Sequence, residues 1–196
     1  MDKLIDKIVL EMKSSDSLTD DEEIIRAGLE ILLSKAFFTA VIAIIGVIMN
    51  CFFESIIFTV SFSVLREYGG GYHAETKKKC FVLSIMTLVV ALSIIKFAER
   101  FQILMFPTCG IALISAIYIL LKAPIDTPNK RFDEDEIRVY GRKARLLTVV
   151  LSAIAVLLWF LKLSDFTFAV LTGIIIEAYL MVKGQVSNHK NSREEV

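Results

Sequence analysis

The sequence predicts an all-α integral membrane protein with six transmembrane helices preceded by amphipathic helices. Hydrophobic residues make up 55% of the 196-residue chain, and charged residues only 22%. The apolar residues are gathered into long runs, and runs of about 18 residues with almost no charge are typical of transmembrane helices. The lysines and arginines cluster between those runs, and this placement sets the number of crossings.

The N-terminal part is predicted to lie on the membrane. Apolar residues recur at helical spacing in residues 2–13, which are too few and too charged to form a span. Thr19 and Glu22 fit a capping box, so a second helix should begin near Asp20. We therefore expect a cytoplasmic amphipathic segment over residues 1–35. A cleavable signal peptide has the opposite order, with the apolar run close to the start.

The first apolar run, residues 36–65, is ambiguous in length. At 1.5 Å per residue it would form a helix of about 45 Å, which is long for one span and short for two. Four cleaner runs follow, at residues 80–97, 103–121, 146–161 and 166–182. The chain therefore crosses five or six times, depending on whether the first run turns back near Asn50.

The basic residues decide between these counts, because cytoplasmic loops retain lysine and arginine. If the first run is a hairpin, 19 of the 22 basic residues lie on one side of the membrane. A single crossing would place loops 66–79 and 122–145 outside, with 11 basic residues between them. We therefore predict a six-span domain over residues 36–182, a polar cytoplasmic tail over 183–196 and both termini in the cytoplasm.

Composition excludes several classes of function. The formal net charge is zero, so no basic excess indicates nucleic-acid binding. The cysteines at 51, 80 and 109 are odd in number and lack metal-ligand spacing. We therefore predict neither a disulfide framework nor a metal site, and we expect no cofactor.

The loop 122–145 is predicted to end in a helix. Acidic residues at 133–136 precede basic residues further on, an order that suits the helix dipole, so a short helix should run into the fifth span. The later residues could dock an acidic peptide tail, although retention by the positive-inside rule is the better explanation of their placement. The candidates for substrate binding are Arg138, Arg142 and Lys143.

The segment before the third span could carry chemistry, since it is the one place where a cysteine and a histidine lie close together. A cysteine protease needs a thiolate nucleophile and an imidazole that accepts and then donates a proton. Cys80 and His73 could fill these roles, in a positive field from Arg66 and the lysines before Cys80. In a straight helix the two would lie about 10 Å apart along the axis. The glycines at 69–71 must therefore let the chain bend.

On spacing alone, the plainer interpretation of a small apolar cysteine beside a solvated histidine is favoured, and the case for chemistry comes from a resemblance to a known family. The run Arg66…Gly71-x-His73…Cys80…Ser84 resembles the signature of the accessory gene regulator B (AgrB) family, membrane cysteine endopeptidases of Gram-positive quorum sensing. The following loop is also similar to that family's: Ala123-Pro124…Thr127-Pro128-Asn129-Lys130. The resemblance implies that Cys80 is the nucleophile and His73 the base. It implies supporting positions at Arg66, Gly71 and Ser84, and it fixes no third catalytic residue.

The resemblance also implies a reaction and its partners. Members of that family cut the C-terminal tail from a short precursor peptide, AgrD, and leave an acyl-enzyme thioester. A cysteine or serine within the peptide then closes a thiolactone or lactone ring, the precursor of an autoinducing signal. The implied partners are an AgrD-like peptide and the lipid bilayer of a Gram-positive cell membrane. Close helix contacts at Gly46, Gly110 and Gly173 could serve the monomer or a homodimer.

Two acidic residues within the predicted spans leave other functions open. Glu54 lies near an outer turn and could reach water, whereas Glu177 should pair with a lysine or a backbone group in the bundle. Intramembrane acids often mark transport paths, so a small transporter or channel subunit is one alternative, in which Cys80 is incidental. A membrane scaffold without chemistry is another. No inverted repeat or pair of discontinuous spans is visible in the sequence, which weakens the transporter interpretation.

Overall fold

The chain is almost entirely helical over its described residues. A computed structural model describes residues 22–72, 76–126 and 133–194 together with Asp6 and Val9, with backbone alone at 22–23, 77–78 and 188–194. The helices are α1 (Glu22–Ile48), α2 (Phe52–Gly69), α3 (Lys77–Arg100), α4 (Met105–Lys122), α5 (Glu134–Phe160) and α6 (Ser164–Glu194), with a short 3₁₀ helix at Gln102–Leu104. The predicted all-α fold is confirmed.

Five of the described helices are long and apolar enough to cross a membrane. They correspond to Ile24–Ile48, Lys79–Arg100, Gln102–Lys122, Glu134–Phe160 and Ser164–Ser187. The remaining helix, α2, has 18 residues, or about 27 Å of helix, close to the ~30 Å of a hydrocarbon core. It carries Glu54 in its first turn and Arg66 in its last, so its charges lie near its ends. The prediction of a multi-span membrane protein is confirmed.

A turn interrupts the first apolar run near Asn50, where the sequence predicted one. Asn50 has a φ of 52°, a left-handed conformation that asparagine tolerates better than most residues. The N–H of Cys51 donates to the Gly46 carbonyl at 2.9 Å, and the N–H of Ser55 donates to the Cys51 carbonyl at 2.9 Å. This turn ends α1 and starts α2, so the predicted interruption of the first apolar run near Asn50 is confirmed, and the hairpin itself stays a prediction.

Two compact units divide the chain, Met1–Ile44 and Ile45–Val196. Within the first unit, the Arg26 side chain forms an ion pair with Asp6. The predicted amphipathic helix at residues 2–13 lies outside the described residues except for two helical positions, and the predicted cap at Thr19 lies outside them entirely. The domain boundaries proposed from the sequence remain predictions.

Helix α6 is the most buried helix of the second unit. In its most apolar stretch, 67% of residues are buried, against 22% or less in the other four membrane-length helices. It packs against α2, α3, α4 and α5. A Cβ built on Gly173 would lie 3.1 Å from the Ser61 Cβ, so this glycine lets α6 and α2 approach closely. The helix continues past residue 182 into the segment that we predicted as a polar tail.

Helix α5 begins with a capping box. The Asp133 side chain accepts from the backbone at Glu136, and the Glu136 side chain accepts from the Asp133 N–H. The helix then continues without interruption to Phe160, which confirms that a helix runs from the loop into the fifth span. A Cβ on Gly141 would lie 3.2 Å from the Ala123 carbonyl oxygen, so α5 packs directly on the chain that follows α4.

Candidate active site

Residues 69–72, which we call the anchored loop, connect α2 to the start of the predicted catalytic segment. The Ile125 N–H donates to the Gly69 carbonyl at 2.9 Å, and the Gly71 N–H donates to the Ile125 carbonyl at 3.1 Å. Together they form a short parallel bridge between this loop and the chain after α4. The loop is therefore held on one side by backbone hydrogen bonds.

A second attachment holds the other side of the anchored loop. The Tyr72 N–H donates to the carbonyl of Leu180, in α6, at 3.0 Å. A Cβ on Gly184 would lie 2.7 Å from the Tyr72 nitrogen, so a glycine is needed where the loop crosses α6. The Lys183 Nζ lies 4.1 Å from the centroid of the Tyr72 ring, a cation–π contact at the same crossing.

The side chain of Arg66 fixes the anchored loop through hydrogen bonds to its backbone carbonyls. Its Nη1 donates to the Gly70 carbonyl and its Nη2 to the Tyr72 carbonyl, using the planar fork that distinguishes arginine from lysine. The same Nη1 lies 3.8 Å from Oε1 of Glu177. One side chain thus binds two carbonyls of the loop, and the supporting role of Arg66 in activity stays a prediction.

Gly71 is the second predicted supporting residue, and its backbone requires glycine. Its φ is 96°, in a region that residues with a Cβ rarely adopt. A Cβ there would lie 2.8 Å from Nη1 of Arg66 and 2.9 Å from the Leu180 carbonyl oxygen. The structure therefore brings Gly71 and Arg66 into one cluster at the end of α2.

Cys80 lies in the first turn of α3. Thr76 caps this helix: its Oγ1 accepts from the Lys79 N–H at 3.2 Å, and its carbonyl accepts from the Cys80 N–H at 2.9 Å. The thiol is exposed and stands at the positive end of the helix dipole. Ser84 follows one helical turn later and is half-buried, so both side chains share one face of α3.

His73 lies outside the described residues. The predicted contact between His73 and Cys80 therefore stays a prediction. The described residues that flank His73 make defined contacts. Tyr72 is hydrogen-bonded to Leu180 of α6 and to Arg66, and Thr76 is the N-cap of α3.

The other two cysteines have different surroundings. Cys51 is buried, and this burial raises the pKa of its thiol. Cys109 is exposed but lies within α4, a membrane-length helix. Only Cys80 combines exposure with a helix N-terminus among the three cysteines, all of which lie in the described chain.

The predicted substrate-binding cations lie on α5. Arg138 and Arg142 are exposed, and Arg138 Nη1 lies 3.8 Å from Oδ1 of Asp135. The Lys143 Nζ lies 4.9 Å from the centroid of the Tyr68 ring. Because Tyr68 immediately precedes the anchored loop, Lys143 stands at the same end of the bundle as that loop.

The sequence interpretation missed the partner of Glu177. We expected a lysine or a backbone group, but the residue within ion-pair distance is Arg66. The sequence signal was a single acid inside a long apolar run. Such an acid indicates a functional residue buried in the bundle, but it does not identify the residue's partner. The roles of Ile125 and Gly184 as attachment points also had no sequence signal.

A second group of acids lies at the ends of α2, α3 and α6 that are distant from the anchored loop. Carboxylate oxygens of Glu54, Glu99 and Asp165 lie within 4.8 Å of one another, and Lys96 Nζ lies 3.0 Å from Oε2 of Glu99. Asp165 is exposed and the other two are partly exposed. Lys96 offsets part of this negative charge.

Comparison with known proteins shows the family. The model of the family described as "AgrB: Accessory gene regulator B" matches residues 1–181. A protein named putative AgrB-like protein 2, from Clostridium perfringens (strain 13 / Type A), is 30% identical over 155 residues, which cover 75% of this chain and 72% of the relative. The accessory gene regulator protein B of Staphylococcus intermedius is 26% identical over 157 residues, covering 79% and 81%.

A further relative is the accessory gene regulator protein B of Staphylococcus aureus (strain MW2), which is 27% identical over 159 residues and covers 81% of both chains. No solved structure matches the chain. The family model spans nearly the whole sequence, including α2, the anchored loop and Cys80. This multi-pass, all-helical membrane protein belongs to the accessory gene regulator B family.

Proposed function

We propose that this protein is a membrane-embedded cysteine endopeptidase of peptide quorum sensing. It removes the C-terminal tail of a short AgrD-like precursor and forms a thiolactone or lactone intermediate of an autoinducer. The observation that carries the proposal is the placement of Cys80: an exposed thiol in the first turn of a capped helix. Cys80 lies eight residues after Tyr72, the last residue of the anchored loop. The backbone of that loop is hydrogen-bonded to Ile125 and Leu180.

In the first half-reaction the Cys80 sulfur attacks the carbonyl carbon of the scissile bond. The thiol proton passes to the His73 imidazole, and formation of the carbon–sulfur bond gives a tetrahedral intermediate. The imidazolium then gives its proton to the leaving amine as the carbon–nitrogen bond breaks. The tail departs, and the remaining peptide stays attached to Cys80 as a thioester.

In the second half-reaction a side chain of the bound peptide closes the ring. A cysteine thiol or serine hydroxyl of the precursor attacks the thioester carbonyl and loses its proton to His73. The carbon–sulfur bond to Cys80 breaks, and the Cys80 thiolate takes that proton from the His73 imidazolium. This step must outrun hydrolysis, so the peptide has to be held close to the thioester with little access for water.

The surroundings of Cys80 suit both steps. The sulfur stands at the positive end of α3, which favours negative charge developing there. An amphipathic precursor lying in the lipid interface would approach the start of a membrane helix without leaving the bilayer surface. Arg66 and Gly71 keep the loop before His73 in one conformation, and Ser84 lies beside Cys80 on α3.

The exposed cations of α5 would bind the peptide. Arg138, Arg142 and Lys143 stand near the end of α2 that leads into the anchored loop, and an acidic tail would complement their charge. We further propose that this end of the bundle faces the cytoplasm, with both chain termini on the same side. A homodimer remains compatible with the proposal but is not needed for it.

The decisive experiment uses the full-length protein in lipid vesicles with a synthetic precursor peptide. Cys80→Ala and His73→Ala should each abolish release of the tail, while Cys51→Ala and Cys109→Ala should retain it. Mass spectrometry should find the thioester on Cys80 when ring closure is blocked by replacing the attacking residue of the precursor. Tail release that survives Cys80→Ala would overturn the proposal and would favour a transporter or a scaffold.

Orientation is tested separately with a membrane-impermeant maleimide. Cys80 should be labelled in inside-out vesicles and protected in right-side-out ones. Cys51 should be protected in both, because it is buried. Labelling of Cys80 from the outer face would contradict the cytoplasmic placement of the site.

A further inference from the structure

Glu177 is a buried acid that the proposed chemistry does not use. It lies in the middle of α6, and its side chain is 0% exposed. Neither carboxylate oxygen has a hydrogen-bond partner among the described residues. A carboxylate is costly inside a membrane helix, and such residues usually face the bundle interior and pair with another charge. The charge within reach is Arg66, whose Nη1 lies 3.8 Å from Oε1.

The carboxylate is also pressed against the anchored loop. A Cβ built on Gly69 would lie 2.7 Å from Oε1 of Glu177, so only glycine at position 69 permits this approach. Gly71, two residues later, makes the same kind of close contact with Arg66. Glycine-dependent contacts at positions 69 and 71 therefore bring the loop backbone onto the Arg66–Glu177 pair.

The pair acts on the loop through Arg66. The guanidinium binds the carbonyls of Gly70 and Tyr72, and its side chain is only 18% exposed. A cation buried to that extent needs a counter-charge, and removing one partner of a buried pair leaves the other uncompensated. Without Glu177, the arginine side chain would move toward water, and the two carbonyls would lose their donor.

We propose that Glu177 is a positioning residue for the peptidase site. Its carboxylate holds Arg66 in the place where the guanidinium fixes the carbonyls of Gly70 and Tyr72. That contact sets the direction of the backbone entering position 73, which is occupied by the predicted catalytic base. The catalytic consequence rests on the proposed function, whereas the effect on the anchored loop does not.

The effect on the loop is tested by hydrogen exchange on the full-length protein in nanodiscs. Glu177→Gln keeps the side-chain volume and removes the charge. The amides of Gly71 and Tyr72, both hydrogen-bonded in the native loop, should exchange about 10-fold faster or more in this variant. Amides within α4 should be unchanged. The matched control is Glu54→Gln, which removes an acid near the other end of α2 and should leave the loop unaffected.

The effect on catalysis is tested with the synthetic precursor. Glu177→Gln should lower kcat on the order of 100-fold, the scale expected when a reacting group is displaced by about an ångström. KM should stay within about twofold, because the peptide is bound by the cations of α5 and not by the backbone at position 73. Glu177→Asp keeps the charge and should restore part of kcat. A general loss of structure would change all of these quantities together.

The outcomes separate this inference from the proposed function. If Cys80→Ala abolishes cleavage while Glu177→Gln keeps wild-type kcat or wild-type exchange, the inference is overturned and the peptidase stands. If Cys80→Ala leaves cleavage intact, the peptidase falls, and the exchange experiment alone decides whether Glu177 holds the loop. Should Glu177→Gln fail to fold, Glu177→Asp decides, because its shorter carboxylate reaches Arg66 less well: exchange at Gly71 and Tyr72 and a kcat that both equal the wild type would refute the inference.

Discussion

The two ends of the helices in the second unit hold their charged residues in opposite ways. At the end formed by the anchored loop, which we call the site end, Glu177 is fully buried and its partner Arg66 binds the backbone of another segment. At the far end, Glu99 pairs with Lys96 three residues earlier in the same helix. A buried pair between helices fixes tertiary structure, whereas a pair within one helix is local and replaceable. Sensitivity to mutation should therefore be concentrated at the site end.

The largest difference between the ends is expected for glycine substitutions. Gly71→Ala places a Cβ at a φ of 96° and 2.8 Å from Arg66 Nη1, so the loop must move. Precursor cleavage should fall on the order of 100-fold, and the free energy of unfolding should fall by about 1–3 kcal/mol. Gly110→Ala is the control, because a Cβ there has nothing within 4 Å among the described residues. Wild-type cleavage by the Gly71→Ala protein would show that the loop tolerates other conformations.

A moderate effect is expected at the cap of α3. Thr76→Ala removes the acceptor of the Lys79 N–H, and loss of such a cap costs about 1 kcal/mol. The first turn, which carries Cys80, should fray, so we expect cleavage to fall about 5-fold and backbone exchange at residues 79–80 to rise. Thr76→Ser keeps the hydroxyl acceptor and should behave like the wild type. Equal activity of the alanine and serine variants would mean that this turn is held by something else.

A smaller effect, on binding alone, is expected for the cations of α5. Arg142→Glu should raise KM for a precursor with an acidic tail about 2- to 5-fold, since exposed charges each contribute about 0.2–1 kcal/mol. The change in KM should shrink at high salt, and kcat should be unaffected. Lys162→Glu, at the far end, is the control. An unchanged KM in the Arg142→Glu protein would mean that these cations do not bind the precursor and serve only to set the membrane topology.

The smallest effect is expected for the far-end pair. Lys96→Gln breaks a contact between partly exposed side chains, and its cost in unfolding free energy should stay below about 0.5 kcal/mol. Cleavage should match the wild type. The thermal unfolding midpoint and tail release measured on one preparation check both statements, and a clear loss of cleavage would show that the two ends are coupled.

Local signals were enough to predict most of the helices. The hydrophobic runs located the spans, and the turn at Asn50 followed from the length of the first run and the placement of lysines and arginines. The order of acids and bases near Asp133 predicted a helix there, and the structure adds the capping box. Each of these features depends on residues close together in sequence, so a single chain carries the information.

Features set by tertiary packing could not be predicted in this way. The pairing of Arg66 with Glu177 joins residues that are far apart in sequence, and a lone acid in an apolar run does not specify which cation it meets. The bridge between Gly70 and Ile125 uses backbone atoms, which leave no pattern in side chains. The motif around Cys80 identified candidate residues, but the role of α6 in holding the anchored loop needed coordinates.

The position of α6 in the chain has a consequence for how the protein is made. Translation and membrane insertion deliver Cys80 long before Leu180 and Glu177, which anchor the loop beside it. We expect the nascent chain to remain enzymatically silent until its sixth helix docks. Under the proposed function, cleavage would therefore begin only after α6 has packed against α2 and fixed the anchored loop.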